Sequence, residues 1–327
     1  MKKNIAIIAG GDSPEYEISI NSAKQIENAL NKKKYNSWTI ILRNNKWSVT
    51  DEKGDIYPIN REDFSCWINN VKINFDCAFM AIHGTPGEDG KLQAYFDIIG
   101  LPYTSSGFLS AAISFNKYSC IQYLKQFGII CAKSILIRKN KKYNTNEIIN
   151  ELSLPLFIKP NNSGSSCGIT KVVKIQDFEA AVNNAFYEDI EVIVEEFING
   201  REFTCGLIKT SNKDIIFPVT EIISKNDFFD YEAKYTDILA DEITPADISV
   251  EIALECQEIS SRIYDILNCK GVVRIDYILS NDKLYFLEIN TVPGMSENSI
   301  IPKQCESTGL PVQELYTIMI EDALNRN

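Results

Sequence analysis

The chain has 327 residues, 45% apolar and 24% charged, and its 44 acidic residues outnumber its 33 basic ones, for a formal net charge of −11. The length predicts two or three domains, and the acidic excess argues against binding to nucleic acid or an anionic membrane surface. The single histidine, His83, excludes a metal site built on several histidines. The nine cysteines are scattered without a CxxC, and no apolar run could span a membrane, so we expect a cytoplasmic protein.

The first hundred residues predict a doubly wound α/β unit. Strands are expected at 4–9, 38–42 and 76–82 and helices over 12–30 and 91–99, while 43–75 matches no pattern. Asp12 followed by Pro14 is typical of a helix start, and Glu15 lies at the spacing of a capping box. Because loops at the carboxyl ends of parallel strands face one crevice, we expect the loops that carry Glu15 and His83 to lie together.

The remaining chain predicts two further α+β units. Helices are expected at 116–127, 177–187 and 247–267, and strands at 156–159, 170–174, 191–196, 203–208, 215–222, 272–279 and 284–290. The order strand, glycine loop, strand, helix, strand is typical of a small antiparallel α+β domain. The polar stretch 224–245 is long for a structureless loop, and such loops often form active-site lids.

Two glycine-rich segments were tested for nucleotide-binding motifs. Gly10-Gly11 is not part of a G-x-G-x-x-G sequence, and no acidic residue ends the second strand, which argues against a nicotinamide dehydrogenase. A tight turn and a ligand-facing turn both remain open for this glycine pair. The loop 161–168 is not a Walker A motif, but its small residues would let N–H groups converge on a phosphate next to Lys159. A flexible hairpin loop is the alternative.

The sharpest spacing lies in a predicted hairpin near the C-terminus. Arg274 and Asp276 share one face of the first strand, and Glu288 and Asn290 share one face of the second. Folding the hairpin about residue 282 places Asp276 opposite Glu288. Opposed carboxylates repel unless a cation lies between them, and a hard divalent cation such as Mg²⁺ would satisfy them. A pair of solvent-facing surface acids is the alternative.

Seven motifs together carry a family resemblance. They are 10–19 (GGDSPEYEIS), 83–90 (HGTPGEDG), 159–168 (KPNNSGSSCG), 202–204 (EFT), 231–235 (YEAKY), 274–276 (RID) and 288–295 (EINTVPGM). In this order, over nearly the whole chain, they resemble the ATP-grasp carboxylate–amine ligases, and within them the D-alanine–D-alanine ligase family. The resemblance implies an ATP-grasp fold preceded by a Rossmann-like domain. The implied divisions are an N-terminal α/β substrate domain (1–110), a central ATP-grasp subdomain with the phosphate loop (111–195), and a C-terminal subdomain with the lid and metal site (196–327).

The resemblance also implies an activity. Two D-alanines would be joined through an acyl phosphate at the expense of ATP, for peptidoglycan precursors in cell wall biogenesis. ATP and two Mg²⁺ ions, with Mn²⁺ as a substitute, would be needed, and the chain would form a homodimer. The alternatives are a ligase that joins D-alanine to D-lactate or D-serine, and a non-catalytic nucleotide-binding relative.

Residue roles follow from the same resemblance. The metal ligands would be Asp276, Glu288 and Asn290. The ATP-binding residues would be Lys117, Lys159 and Lys234 at the phosphates, Glu195, Glu196, Phe197, Ile198 and Glu202 at the adenosine, and Phe228 and Leu287 on either side of the base. The first substrate would be held by Glu15, with Ser165 and Tyr235 as the hydrogen-bonded partners of Glu15, and by His83. The remaining positions would be Arg274 and Gly294 at the oxyanion and Ser299 and Ile300 at the second carboxylate. For Phe228 and Leu287, ordinary core packing remains an alternative.

Overall fold

The computed structural model describes residues 1–51, 53–164, 167–224 and 240–326, which form three β-sheets with flanking helices. None of the helices in these ranges is long and apolar enough to cross a membrane.

The first sheet has seven strands in the order β6-β5-β4-β3-β2-β1-β7. The strands are β1 (Lys3–Gly10), β2 (Tyr35–Arg43), β3 (Lys46–Thr50), β4 (Ile56–Asn60), β5 (Ser65–Ile68), β6 (Val71–Ile73) and β7 (Cys77–Met80). Strand β1 pairs in parallel with β2 and β7, which confirms the predicted doubly wound start. The unassigned segment 43–75 contributes four strands, and these extend the sheet as an antiparallel meander.

The second sheet is the small antiparallel unit that the sequence predicts. Its strands are β8 (Ser134–Arg138), β9 (Leu156–Pro160), β10 (Thr170–Val172) and β11 (Glu191–Glu196), in the order β10-β9-β11-β8. All three pairings are antiparallel. Buried Phe178 and Val182 lie in one core with Ile158 and Val194, so the helix that starts at Phe178 covers one face of this sheet.

The third sheet contains the hairpin with the paired acids. Its strands are β12 (Arg201–Lys209), β13 (Asp214–Ile216), β14 (Thr220–Ser224), β15 (Ala240–Ile243), β16 (Val273–Ser280) and β17 (Lys283–Asn290). The order is β15-β14-β12-β16-β17, and β13 pairs with β12. The predicted strand 215–222 is therefore two strands, because the chain breaks at 217–219, where Phe217 and Val219 are buried in the core. The predicted loop 224–245 contains β15, and its residues 225–239 lie outside the described ranges.

Nine helices lie in the described part of the chain. They are α1 (Tyr16–Ala29), α2 (Lys91–Ile99), α3 (Phe108–Phe115), α4 (Lys117–Lys125), α5 (Thr145–Leu152), α6 (Phe178–Glu188), α7 (Val250–Ile266), α8 (Ile300–Ser307) and α9 (Val312–Leu324). Helix α9 buries Leu315, Tyr316, Met319 and Ile320 at helical spacing. The Tyr316 ring lies 5.3 Å from that of Phe79 in β7. The end of the chain therefore packs back on the first sheet, which places α8 close to the N-terminal loops.

The predicted helix start at Asp12 is wrong. Helix α1 begins at Tyr16, with Glu15 as its N-cap and no capping side chain. The Asp12 carboxylate instead accepts a hydrogen bond from the Asn44 N–H at 2.7 Å. The Ser13 hydroxyl donates to the His83 carbonyl at 2.8 Å. Both side chains that would have capped the helix are engaged by neighbouring loops, so residues 12–15 form a turn towards the loop of His83.

Candidate active site

The hairpin of β16 and β17 places the two predicted acids opposite each other. Asp276 pairs with Glu288 and Arg274 with Asn290. Asn281 and Asp282, both with positive φ, form the two-residue turn. From this turn alone Asp276 would face Leu287, but a β-bulge after Asp276 inserts one residue. The predicted pairing is thus confirmed, and the bulge that produces it is a feature that the sequence does not reveal.

Asp276 lies at the centre of a polar cluster and is only 3% exposed. Arg274 binds both carboxylate oxygens, with its Nε and Nη2 at 2.9 and 2.8 Å. The Thr204 hydroxyl from β12 donates at 2.5 Å, and the Asn290 amide at 3.2 Å. Because a buried carboxylate needs hydrogen-bond partners in place of water, these four donors account for the burial of Asp276.

Glu288 is joined to the start of α4. The Lys117 ammonium lies 2.8 Å from Glu288 Oε2, and the Lys117 side chain is only 12% exposed. Burial is the largest effect and lowers the pKa of Lys117, but the charge and hydrogen bond of Glu288, together with the charges of Glu195 and Glu88, outweigh it and raise the pKa. Asn116 caps α4 through the Ser119 N–H, and the Lys117 N–H donates to the Asn161 carbonyl. The lysine is therefore held between the glycine-rich loop and the hairpin.

A second buried ion pair joins Lys159 and Glu195 on neighbouring strands β9 and β11. Lys159 Nζ lies 2.5 Å from Glu195 Oε2, and the two side chains are 8% and 7% exposed. The pairing register sets Lys159 opposite Ile193, so Glu195 is its diagonal neighbour on the same face. Lys159 thus lies near the end of β9, and its ammonium is directed at β11. The end of β11 is the segment that is predicted to meet adenine.

The predicted adenosine segment leaves the second sheet for the third. Glu195 and Glu196 end β11, and Phe197 and Ile198 begin the connection to β12. Glu196 accepts a hydrogen bond from the Lys133 N–H at 2.7 Å. The Phe197 ring lies 4.2 Å from the ammonium of Lys171. Two further predicted positions, Glu202 on β12 and Leu287 at the bulge, are half-buried.

Glu15 and the glycine-rich loop approach each other directly. Glu15 is 8% exposed. A Cβ added to Gly164 would lie 2.7 Å from Glu15 Oε2, so the loop backbone rests against the carboxylate. Ser165, which was predicted to bind Glu15, lies outside the described residues, as do Tyr235, Lys234 and Phe228.

His83 lies beside Glu15, as the sequence predicts. It is 6% exposed, and its Nε2 lies 3.5 Å from the Ser22 hydroxyl. Burial lowers the pKa of His83, an effect that the charge of Glu15 partly offsets. The ring is therefore neutral near pH 7, and one of its nitrogens can accept a hydrogen bond.

Glu88 is a site residue that sequence reasoning missed. Its carboxylate accepts a hydrogen bond from the Gly84 N–H at 2.7 Å. Burial and the charge of Glu15 raise the pKa of Glu88 to about 8. The only sequence signal was its place in the motif that begins at His83, since its nearness to Glu15 depends on the tertiary fold.

The second-substrate residues lie at the start of α8. The hydroxyls of Ser296 and Ser299 are 2.7 Å apart. A Cβ on Gly294 would lie 2.7 Å from the Ser299 hydroxyl, so a side chain at Gly294 would intrude on Ser299. Ser299 is the N-cap residue of α8, and Ile300 is its first helical residue.

Many of these groups line one cavity of about 680 Å³, whereas Asp276, Lys159, Glu195 and Leu287 are not among its described lining residues. Its lining includes Glu15, His83, Lys117, Gly164, Glu88, Arg274, Glu288, Asn290, Gly294, Ser299 and Ile300. Residues from the N-terminal, central and C-terminal parts of the chain all line this cavity. The face of the hairpin that carries Glu288 and Asn290 is therefore enclosed by the other two parts. Within the described residues, no three His, Cys, Asp or Glu side chains form a metal cluster. The predicted metal set is two carboxylates with an amide, and hard oxygen ligands of this kind suit Mg²⁺.

A Rossmann-like unit, an antiparallel sheet with a glycine-rich loop and an acidic hairpin around one cavity are the arrangement of the ATP-grasp class of ligases. Two family models match the chain. One, described as D-ala D-ala ligase N-terminus, matches residues 4–106. The other, described as D-ala D-ala ligase C-terminus, matches residues 123–321. The chain therefore belongs to the D-alanine–D-alanine ligase family, which confirms the resemblance drawn from its motifs.

Individual relatives agree with this assignment. A D-alanine–D-alanine ligase of Parabacteroides distasonis is 49% identical over 325 residues, which cover 99% of this chain and 98% of the relative. The D-alanine–D-alanine ligase of Azobacteroides pseudotrichonymphae is 48% identical over 321 residues, or 98% and 99% of the two chains.

Solved structures share the fold. The VanG D-Ala:D-Ser ligase from Enterococcus faecalis has a TM-score of 0.87 at 34% identity, and the match covers 98% of this chain and 99% of that one. A D-alanine–D-alanine ligase from Bacillus anthracis, solved in complex with ATP, has a TM-score of 0.79 at 29% identity over 99% and 97% of the two chains.

Proposed function

We propose that this chain joins two molecules of D-alanine at the expense of ATP and so supplies D-alanyl-D-alanine for peptidoglycan precursors. The observation that carries the proposal is the meeting, in one cavity, of Glu15 from the N-terminal unit with Glu288 and Asn290 from the acidic hairpin. Relatives that are 48–49% identical over nearly their whole length carry the name of this activity.

In the first step, a carboxylate oxygen of the first D-alanine attacks the γ-phosphorus of ATP. The bond to the β,γ-bridging oxygen breaks, which yields an acyl phosphate and ADP. Glu15 would bind the ammonium of this D-alanine, and its low exposure strengthens that ion pair. Neutral His83 would lie near the carboxylate without neutralising its charge. Positioning of this kind supplies most of the catalysis in phosphoryl transfer.

In the second step, the amine of the second D-alanine attacks the acyl carbon, its extra proton is lost, and phosphate leaves as the C–O bond breaks. Arg274 and the Gly294 N–H would stabilise the negative oxygen of the tetrahedral intermediate. Ser299 and the Ile300 N–H at the start of α8 would bind the second carboxylate, because the N-terminal N–H groups of a helix attract anions.

The donor set at the hairpin fits Mg²⁺, with Mn²⁺ as a substitute. Asp276, Glu288 and the amide oxygen of Asn290 would hold two ions, which when bound neutralise charge on the phosphates. Lys117 and Lys159 would contribute further positive charge at the same phosphates. Each is now held by a carboxylate, Lys117 by Glu288 and Lys159 by Glu195.

Four proposed roles concern residues outside the described ranges. Ser165 and Tyr235 would bind Glu15, Lys234 would contact phosphate, and Phe228 would flank the base. The divisions at residues 110 and 195 likewise remain a proposal. The three sheets support them, because the first and third sheets each fall within one segment and the second extends only one residue, Glu196, beyond the division at 195.

The test is phosphate release from ATP and Mg²⁺ with D-alanine, and with L-alanine as the control. We expect release with D-alanine alone and D-alanyl-D-alanine as the product. Glu288→Gln should abolish it, because one metal-binding charge is lost. Release that is equal with both enantiomers, or that survives in Glu288→Gln, would contradict the proposal.

A D-serine ligase is the second candidate, because the VanG D-Ala:D-Ser ligase shares 34% identity and the same fold. Competition between D-alanine and D-serine or D-lactate for the second position distinguishes these activities. If the dominant product contains D-serine or D-lactate, that compound, and not D-alanine, is the second substrate. If none of these amino acids or D-lactate stimulates ATP turnover, the protein would instead be a non-catalytic nucleotide-binding relative.

We also propose a cytoplasmic homodimer. Several apolar side chains in the N-terminal part are largely exposed, among them Ile98 on α2 at 83% and Phe108 and Leu109 on α3 at 51% and 59%. Apolar surface of this kind is typical of subunit contacts. Light scattering should give twice the monomer mass of 37.0 kDa, and Phe108→Asp should reduce it to the monomer. A wild-type monomer at micromolar concentration would contradict the proposal.

A further inference from the structure

An ion pair lies at the wall of the cavity, and neither of its residues has been given a role above. The Lys303 ammonium on α8 lies 2.8 Å from Glu242 Oε2 on β15. Their side chains are 39% and 20% exposed, and both residues line the cavity together with Ser299 and Ile300. Neither stands in a motif that the sequence analysis singled out.

The helix directs Lys303 towards the second-substrate residues. The Lys303 N–H donates to the Ser299 carbonyl at 3.3 Å, so Lys303 lies one turn beyond Ser299 on the same side of α8. Side chains in a helix lean towards its N-terminus. This lean directs the Lys303 side chain towards the turn that contains Ser299 and Ile300, with which it lines the cavity.

The other described cations of the cavity lining are held elsewhere. Lys117 pairs with Glu288 and Arg274 with Asp276, both on the acidic hairpin. Lys303 is held by Glu242, which follows the stretch 225–239 in the chain and pairs with Ile222 of β14. Among the described cations of the lining, Lys303 therefore differs from Lys117 and Arg274. Its partner lies on β15, whereas their partners are predicted metal ligands.

We propose that Lys303 is part of the second-substrate subsite. In this proposal its ammonium attracts the carboxylate of the incoming amino acid, and Glu242 competes with that carboxylate for the same ammonium. The inference rests on the proposed function, because it takes Ser299 and Ile300 as the carboxylate cradle.

Because the two carboxylates compete, removal of the lysine charge and removal of the glutamate charge should change the affinity for the second D-alanine in opposite directions. Loss of the lysine charge removes attraction for the substrate carboxylate and weakens binding of the second D-alanine. Loss of the glutamate charge removes the carboxylate that competes with the substrate for the ammonium, and so strengthens binding. A simple structural brace between α8 and β15 would instead be weakened equally by either change.

The test compares Lys303→Met, Lys303→Arg and Glu242→Gln with wild type, and uses Lys213→Met as a control, since Lys213 is an exposed lysine between β12 and β13. Initial rates over a wide range of D-alanine concentration give separate KM values for the first and second molecules. Lys303→Met should raise the second KM about three- to fivefold, the size expected for one exposed charge. Lys303→Arg should restore it, and Glu242→Gln should lower it about twofold.

Two further readouts separate the inference from a structural effect. The KM values for ATP and the first D-alanine should stay unchanged in all variants. Added NaCl should raise the second KM of wild type more steeply than that of Lys303→Met, because salt screens the missing attraction. An unchanged second KM in Lys303→Met, or a rise in both Lys303→Met and Glu242→Gln, would overturn the inference. Absence of D-alanine turnover in wild type would refute the proposed function instead.

Discussion

Glu88 gives the most direct test of the electrostatics inside the cavity. Its carboxyl is half-buried beside the cavity, and burial together with the charge of Glu15 raises its pKa to about 8 from the ordinary 4.5. The folded protein therefore keeps the Glu88 proton at neutral pH, whereas the unfolded chain releases it. Glu88→Gln replaces the protonated acid by a neutral group of the same shape, whose carbonyl can still accept from the Gly84 N–H.

The magnitude follows from proton linkage. Between pH 4.5 and 8 the folded state binds one proton more than the unfolded state, so the free energy of unfolding falls as the pH rises. The full slope for one proton is about 1.4 kcal/mol per pH unit. For a chain of this length that corresponds to about 2 °C in Tm per pH unit.

The assay is thermal unfolding of wild type and Glu88→Gln from pH 5 to 9. The Tm of the variant minus that of wild type should rise by about 6 °C between pH 5 and 8 and level off above pH 8. Glu151→Gln, a change at an exposed glutamate of α5, should give a difference that does not vary with pH. A constant difference for Glu88→Gln, or one that falls as the pH rises, would refute the reasoning.

Two further stability predictions follow from close packing and from a buried charge. The Cβ of Gly271→Ala would lie 1.9 Å from the Thr104 carbonyl oxygen, and residue 271 has a φ of +64°. The free energy of unfolding measured in urea should therefore fall by about 2–4 kcal/mol. An unchanged urea midpoint would contradict the contact. Lys159→Met leaves Glu195 buried without its partner and should cost about 3–5 kcal/mol, part of which Glu195→Gln recovers in the double variant. Additive losses in the double variant would show that the pair does not interact.

The elements that form the first sheet show which patterns a sequence reveals. Strand β1 and helix α2 were predictable, because a short apolar run and a helix after a glycine loop leave local signals. The meander over 43–75 was missed because its strands are only three to five residues long and are joined by polar turns. Two Asn-Asn pairs marked its turns, since Asn44 and Asn45 have positive φ, as do Asn69 and Asn70. Such pairs favour type I′ hairpins.

The acidic hairpin shows a different limit. The opposition of Asp276 and Glu288 followed from strand periodicity and an assumed centre at residue 282. The structure reaches the same pairing through a turn at Asn281–Asp282 and a bulge near Leu287. A bulge depends on how neighbouring strands twist and pack, so its position carries no reliable local pattern.

Contacts between distant parts of the chain account for the rest of the site. Glu88 acquires its raised pKa because the fold buries its carboxyl and brings it near Glu15. Lys303 meets Glu242 only because α8 packs beside β15. Neither pair has a fixed spacing in sequence, so periodicity and local motifs cannot indicate them.

The most direct measurement of the proposed activity follows the oxygen atoms of the substrate. D-Alanine labelled with ¹⁸O in its carboxylate is incubated with the protein, ATP and Mg²⁺, and the released phosphate is analysed by mass spectrometry. If the first carboxylate attacks the γ-phosphate, each phosphate released on peptide bond formation carries one ¹⁸O atom, and D-alanyl-D-alanine accumulates in equal amount. Phosphate without ¹⁸O, or phosphate release without the dipeptide, would contradict ligation through an acyl phosphate.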